Sequence, residues 1–337
     1  MTPALAKQHY DTAVAMAEQA NAGGAETAAM LAEIGVGLMQ RPVCTDQIEY
    51  AADLFRRALD RLTPDSLQHA RTSLQLAAAL HSLPPNSAKA ELDYLLQARQ
   101  LAETAVEWLQ QHREQVQAAE LAEAELNLGL LLQTLAGLGQ ADIRQAIGAY
   151  QRSLRSYTAQ DSPAEYALVQ NNLASAYLSM RSGDQTDRMR EALAVQAFEA
   201  ALEVVDIREH PTEYAMLQNN LGNALQYATS GHALGNNLRA LQAYDEALRV
   251  RNERDTPLPF ANTQANRALC LSNLPDDPER PELGNRANLE AALQGYALAR
   301  RLFAAHGELN RLPMVDEAIA AIRSELDGAG FAEVGNA

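Results

Sequence analysis

A phrase recurs in this chain at near-constant spacing, and that limits the folds open to it more than any other feature. Residues 163–173 read PAEYALVQNNL, residues 211–221 read PTEYAMLQNNL, and residues 257–266 read PLPFANTQAN. The starts at 163, 211 and 257 lie 48 and 46 residues apart. Self-similarity at such a period marks a stacked array, in which each unit buries its apolar face only against its neighbours.

A second helical segment follows each phrase. It carries a small residue, three positions, an aromatic, two positions and another small residue: Ala194, Phe198, Ala201, then Ala240, Tyr244, Ala247, then Ala292, Tyr296, Ala299. Upstream, Ala146, Tyr150, Ser153 and Ala51, Phe55, Ala58 fit, as do Ala98, Ala102, Ala105 with the aromatic lost. The first segment of each unit carries Leu-Gly or a variant: Ile34-Gly35, Leu76-Ala77, Leu128-Gly129, Leu173-Ala174, Leu221-Gly222 and Arg267-Ala268. Positions three and four apart share one helix face. Small residues at both ends of that face admit a close partner helix, and the ring fills the space between.

These residues resemble the tetratricopeptide repeat. Leu173, Ala174, Tyr177, Ala194, Phe198, Ala201 and Pro211 match its pattern L-G-x2-Y…A-x3-F-x2-A…P in order. The resemblance spans residues 25–305. It implies an all-α, right-handed superhelical solenoid of about six helix-turn-helix units, at 25–62, 65–112, 115–158, 163–208, 211–254 and 257–305. The usual repeat is about 34 residues. The excess here is expected between the two helices of a pair, in the Gly-, Pro-, Asn- and Asp-rich stretches 182–191, 230–239 and 275–288. Long repeats of this kind resemble the kinesin-light-chain style and the extended repeats of bacterial scaffold and sensor proteins.

The ends suit an array that must cover its terminal faces. Residues 1–24 hold an amphipathic segment at 3–20, expected as an N-terminal capping helix. Residues 306–337 are expected as a C-terminal capping helix and a loose tail. Within them, 312–326 reads as a helix with Pro313 near its start and Gly328 after its end, and with Val315, Ile319 and Ile322 on one face.

Helix formers dominate the composition, and strict apolar alternation is lacking, so strands are not expected. No apolar run is long enough for a membrane helix. His9, Asp11 and Glu18 interrupt the N-terminal stretch where a signal peptide needs an apolar block, so a cytoplasmic location is expected. Cys44 and Cys270 have no metal or redox spacing and read as small apolar residues. The net charge is −16, and Lys7 and Lys89 are the only lysines among 27 basic residues. This balance disfavours nucleic acid and anionic membrane as partners. It either solubilises the array or selects a basic partner.

On the first helix of the fourth and fifth units, one stripe is apolar: Val169, Leu173, Ala176, Met180, and Leu217, Leu221, Ala224, Ala228. A second stripe holds Leu168, Asn171 or Asn172, Ser175, Ser179, and Met216, Asn219 or Asn220, Asn223, Tyr227. By the resemblance, this second stripe lines a concave groove. The groove candidates are Asn127, Asn171, Asn172, Ser175, Asn219, Asn220, Asn223, Tyr227, Asn262 and Asn266. An asparagine carboxamide can pair with both the N–H and the C=O of a passing backbone. The kinesin-light-chain resemblance points to Asn172 and Asn220 for that role. Asn127, Asn172, Asn220 and Asn266, each just before the Leu-Gly position, equally suit tying neighbouring helices together. A carboxylate clamp would need cations, yet no lysine follows Lys89, and Arg267 stands where leucine is expected.

Catalytic motifs are absent from the sequence. The seven histidines form no H-E-x-x-H, and there is no phosphate-binding or dinucleotide glycine loop and no G-x-S-x-G. The acidic run Asp276-Asp277-Pro278-Glu279 is interrupted by proline and reads as a loop rather than a metal-binding helix face. Trp108 reads as packing. The expectation is a non-catalytic protein- or peptide-binding scaffold or adaptor, with no cofactor or metal and with its oligomeric state open. The alternatives are a sensor or regulatory arm acting on a separately encoded effector, and an all-α enzyme whose site has no recognised motif.

Overall fold

The computed structural model describes residues 2–19, 24–84, 88–180, 186–228 and 232–334, and every regular element among them is helical. The chain divides into two compact units, Met1–Asp161 and Ser162–Ala337. The first holds α1 (Pro3–Gln19), α2 (Gly24–Met39), α3 (Thr45–Leu59), α4 (Leu67–Ser82), α5 (Ala88–Gln111), α6 (Ala118–Gly137) and α7 (Ile143–Ser153). The second holds α8 (Pro163–Ser179), α9 (Thr186–Leu202), α10 (Pro211–Gln226), α11 (Ala233–Leu248), α12 (Pro257–Ser272), α13 (Arg286–Ala305) and α14 (Leu312–Val334).

Packing is serial. In the first unit α2 pairs with α3, α4 with α5 and α6 with α7. In the second, α8 pairs with α9, α10 with α11 and α12 with α13. Each pair rests on the next through its second helix: α3 on α4, α5 on α6, α9 on α10 and α11 on α12.

The repeated residues explain the pairs. Every member of the small–aromatic–small motif is buried, from Ala51, Phe55 and Ala58 through Ala292, Tyr296 and Ala299. Phe55, Tyr150 and Tyr244 press on Gly35, Gly129 and Gly222 of the partner helix. The tyrosines add a polar tie: Tyr150 donates to Gln133 Oε1 at 2.8 Å, and Tyr244 faces Asn223 Oδ1 and Gln226 Oε1, each at 2.8 Å. Phe198 has no hydroxyl, and Leu178 takes the place of those glutamines in its pair. Proline opens α8, α10 and α12. The first helical position suits it, because its missing N–H would have no partner there and its φ is already helical.

Three departures from the sequence reading stand out. The stretches 182–191 and 230–239 are not loops throughout, because α9 begins at Thr186 and α11 at Ala233; residues 181–185 and 229–231 lie outside the described residues. Part of the extra repeat length instead lies between successive pairs, at 203–210 and 249–256. Gly328 does not end the last helix, which runs on to Val334, so most of the tail expected to be loose is helical.

The end helices cover apolar faces. Val315, Ile319 and Ile322 of α14 are buried in one cluster with Leu302 and Phe303 of α13. On α1, Ala6 and Ala13 are buried, Tyr10 stacks on Tyr50 with centroids 4.7 Å apart, and Tyr10 donates to Asp53 at 2.7 Å.

Candidate peptide-binding face

Helices α8, α10 and α12 begin with the repeated phrase, so they carry equivalent residues in register. Asn171 and Asn219 are equivalent, and so are Asn172, Asn220 and Asn266. The structure joins them between neighbouring repeats. Asn220 Nδ2 donates to Asn171 Oδ1 at 3.1 Å, and one repeat on, Asn266 Nδ2 donates to Asn219 Oδ1 at 3.3 Å. The first asparagine of one doublet thus accepts from the second position of the next.

This rearranges the expected groove. Asn219 is buried, and its oxygen also accepts from Thr263 Oγ1 at 3.2 Å, so it belongs to the repeat interface. Asn223 is held by Tyr244. Asn262 accepts from Arg311, whose guanidinium also lies 5.4 Å from the centre of the Phe303 ring. Ser175 donates to the carbonyl of Asn171 at 2.9 Å, turning its hydroxyl onto its own helix. Asn171 and Asn172 are half-buried and bonded to each other at 3.3 Å, while Asn172 Nδ2 is itself buried without a hydrogen-bond partner, closed off from a ligand in the groove. Tyr227 is exposed where α10 ends. Asn127, in the first unit, is exposed on α6.

Beside Asn171 opens a pocket of about 470 Å³. Leu168, Val204, Val205, Met216 and Leu217 line it, with Glu209 and Glu213 also in its wall. A volume of this size falls in the range of about 300–1,000 Å³ usual for ligand clefts. Leu168 is 46% exposed at the pocket. The sequence reading missed Val204, Val205 and Glu209, which lie in the segment joining two pairs. The signal that would have found them is the position four residues past the motif: Tyr157, Val205 and Arg251 in successive units.

Arg251 has a different environment at that position. Its Nη1 donates to Thr263 Oγ1 at 2.7 Å and approaches the carbonyl of Pro259 at 3.4 Å, and burial lowers its pKa. Arg267, placed in the sequence where leucine is expected, turns away from the core to pair with Asp245 at 2.6 Å. Neither arginine makes a carboxylate clamp with the asparagines.

In the first unit a second hollow, of about 280 Å³, lies between α2 and α4 and is lined by Ala28, Val36, Leu62, Gln68 and Arg71. Arg71 is already committed to a two-pronged bond with Glu120 at 2.7 and 2.8 Å. The buried carboxylate of Glu125 is gripped in the same way by Arg152, at 2.7 and 2.8 Å.

Other chemically active groups are structural. Asp276 accepts the backbone amides of Ala287 and Asn288, both at 2.8 Å, and so caps α13. Asp277 bonds to Arg280, which holds its carboxyl below the ordinary range. Trp108 stacks on His112 and donates to Asp65 at 2.5 Å. Cys270 is buried, and that burial pushes its thiol up to about 11, away from reactive thiolate. Among the described residues no group of three or more His, Cys, Asp and Glu could hold a metal ion. No described helix is long and apolar enough to cross a membrane.

No protein-family model matches the chain, and no curated protein sequence matches it significantly. Solved structures do resemble it. The crystal structure of BtubC (BKLC) from P. vanneervenii is 20% identical, with a TM-score of 0.51 over 74% of this chain and 89% of that one. The fold is that of a tetratricopeptide-like repeat protein. The apo form of RapI aligns at 14% identity and a TM-score of 0.48, over 98% of this chain and 74% of that one. At 20% identity the likeness to BtubC speaks to the helical-repeat fold alone.

Proposed function

We propose that the chain is a non-catalytic scaffold or adaptor that binds a protein through an extended segment, and that the segment lies along α8 and α10. The observation that carries this reading is the apolar pocket beside Asn171. A cleft with apolar walls and a few polar groups at its edge is the usual form of a recognition site. The half-buried Asn171 and Asn220, at its edge, add carboxamide groups that a peptide backbone can use. The charge of −16 argues against nucleic acid as the ligand.

The test is a selection of displayed random peptides against the purified chain, followed by hydrogen exchange on the bound complex. Binders should protect α8 and α10 around Leu168, Asn171 and Met216. Protection confined to α9 and α11 would reject the site, and failure to select any saturable binder would reject the peptide-binding function.

A further inference from the structure

The pocket exists because one side chain is short. Four residues after the last small residue of the motif, successive units carry Tyr157, Val205 and Arg251. Tyr157 reaches back so that its hydroxyl donates to the carbonyl of Ala119 at 3.3 Å. Ala119 is the repeat equivalent of Ala164, which lines the pocket. Arg251 reaches forward onto Thr263 Oγ1 and the Pro259 carbonyl. Those two residues are the equivalents of Leu217 and Glu213, which also line the pocket. Each long side chain therefore crosses the space that Val205 leaves open.

The charges around that space have one sign. Glu209 and Glu213 are both exposed and both line the pocket; His210 also lines it, and no lysine or arginine does. Neither carboxylate is ion-paired among the described residues. Arg208, next in sequence, does not line the pocket.

We propose that this pocket takes a large apolar side chain of an extended peptide whose neighbouring residue is lysine or arginine, the cation being held by Glu209 and Glu213. This rests on the peptide-binding reading above and adds the class of peptide. Apolar walls reward burial of a large side chain. Two carboxylates in the wall favour a cation and repel an acidic segment, which gives selectivity more than affinity. Asn171, in the same wall, is placed to bond the backbone between the two side chains.

The test uses the full chain and fluorescein-labelled nine-residue peptides in a Gly/Ser/Ala background. Three carry Phe-Arg, Phe-Glu or Ala-Arg at the centre, and binding is read by anisotropy. The Phe-Arg peptide should bind at least about tenfold tighter than the Ala-Arg peptide, as loss of one buried ring implies. It should bind about fivefold or more tighter than the Phe-Glu peptide at low salt, and that margin should shrink as salt is added. Val205→Tyr, which copies the preceding unit, should abolish binding of all three. Glu209→Lys with Glu213→Lys changes only exposed side chains, so the fold is retained, and it should reverse the order of Phe-Arg and Phe-Glu. Equal binding of Phe-Arg and Phe-Glu, or binding unchanged by the charge reversal, would overturn the basic-apolar class and leave the scaffold reading standing. If neither these nor any selected peptide binds, both fall.

Discussion

A Cβ added to Gly222 would stand 2.5 Å from Cε1 of Tyr244, closer than real side-chain carbons approach. The ring sits against bare backbone, and only a hydrogen fits there. Gly35 stands in the same relation to Phe55, at 2.6 Å, whereas Gly37, two residues along the same helix, meets nothing within 4 Å. Gly35→Ala and Gly222→Ala should each lower stability by about 1–3 kcal/mol, outweighing the gain of about 0.5–1 kcal/mol that alanine brings to a helix. Gly37→Ala should raise stability by about that smaller amount. Urea midpoints decide, and a rise in all three variants would show that the rings do not fix the spacing.

Rings at the centre of the pairs should dominate stability. Phe198 is 1% exposed, and Phe198→Ala should cost about 3–5 kcal/mol. Tyr244→Phe keeps the ring and removes only the tie to Asn223 and Gln226, so its loss should be about 0.5–1.5 kcal/mol. Similar losses from both variants would contradict the packing described.

Asn171 and Asn219 hold the same place in the repeat but should fail differently. Asn219 is buried and accepts from Thr263 and Asn266, so Asn219→Ala should lower the melting point and cost about 1–2 kcal/mol. Asn171 is half-buried and lines the pocket, so Asn171→Ala should act first on peptide affinity. Thermal melts and peptide titrations on the same preparations separate the two; a loss of melting point in Asn171→Ala as large as in Asn219→Ala would mean both serve the interface.

The first unit should lose stability in mild acid. His81 is pressed toward its neutral form by burial, which lowers its pKa, and its Nε2 lies 3.0 Å from Thr134 Oγ1. Thr134 in turn donates to the Leu130 carbonyl at 3.1 Å, so the bonds run in one direction when His81 carries its proton on Nε2. The unfolded chain takes up a proton near pH ~6.5, while the folded chain resists until lower pH. This contribution is therefore present above the unfolded value and is lost as pH falls through the folded one. His69 shifts the same way. His81→Gln should flatten the fall in urea midpoint between pH ~7 and pH ~5 without removing it; an unchanged slope would place the titration elsewhere.

Glu125 is 2% exposed, and its charge is answered by Arg152. Arg152→Ala would strand that carboxylate, with Gln110 as its remaining partner, at a cost of about 3 kcal/mol or more. Adding Glu125→Leu to Arg152→Ala should recover much of the loss. If the double variant is no more stable than the single one, the stranded charge is not what destabilises it.

The fold was legible because its determinants are local and repeated. Proline at 163, 211 and 257 marks three helix starts, the buried small–aromatic–small triplets mark five second helices, and an all-alanine version marks the sixth. Helix starts without proline were harder to read: Thr186 and Ala233 lie in sequences rich in turn formers, and packing on the partner helix overrides that local preference. The asparagines were legible as a row but not by role. A carboxamide can face a ligand or the next repeat, and the choice depends on the register between helices some 47 residues apart, as in the Asn219–Asn266 bond. A pocket near Met216 was legible from the stripe, but its opposite wall was not, since that depends on what Val205 fails to reach.

The position four residues beyond the motif holds Leu62, Leu109, Tyr157, Val205, Arg251 and Phe303 in turn. The motif itself hardly varies, and it sets the helix spacing. Framework and relief are thus written in separate letters of each repeat. A lineage can carve, plug or charge one hollow by a change at a single codon while the frame around it stands, and can do so unit by unit along the array.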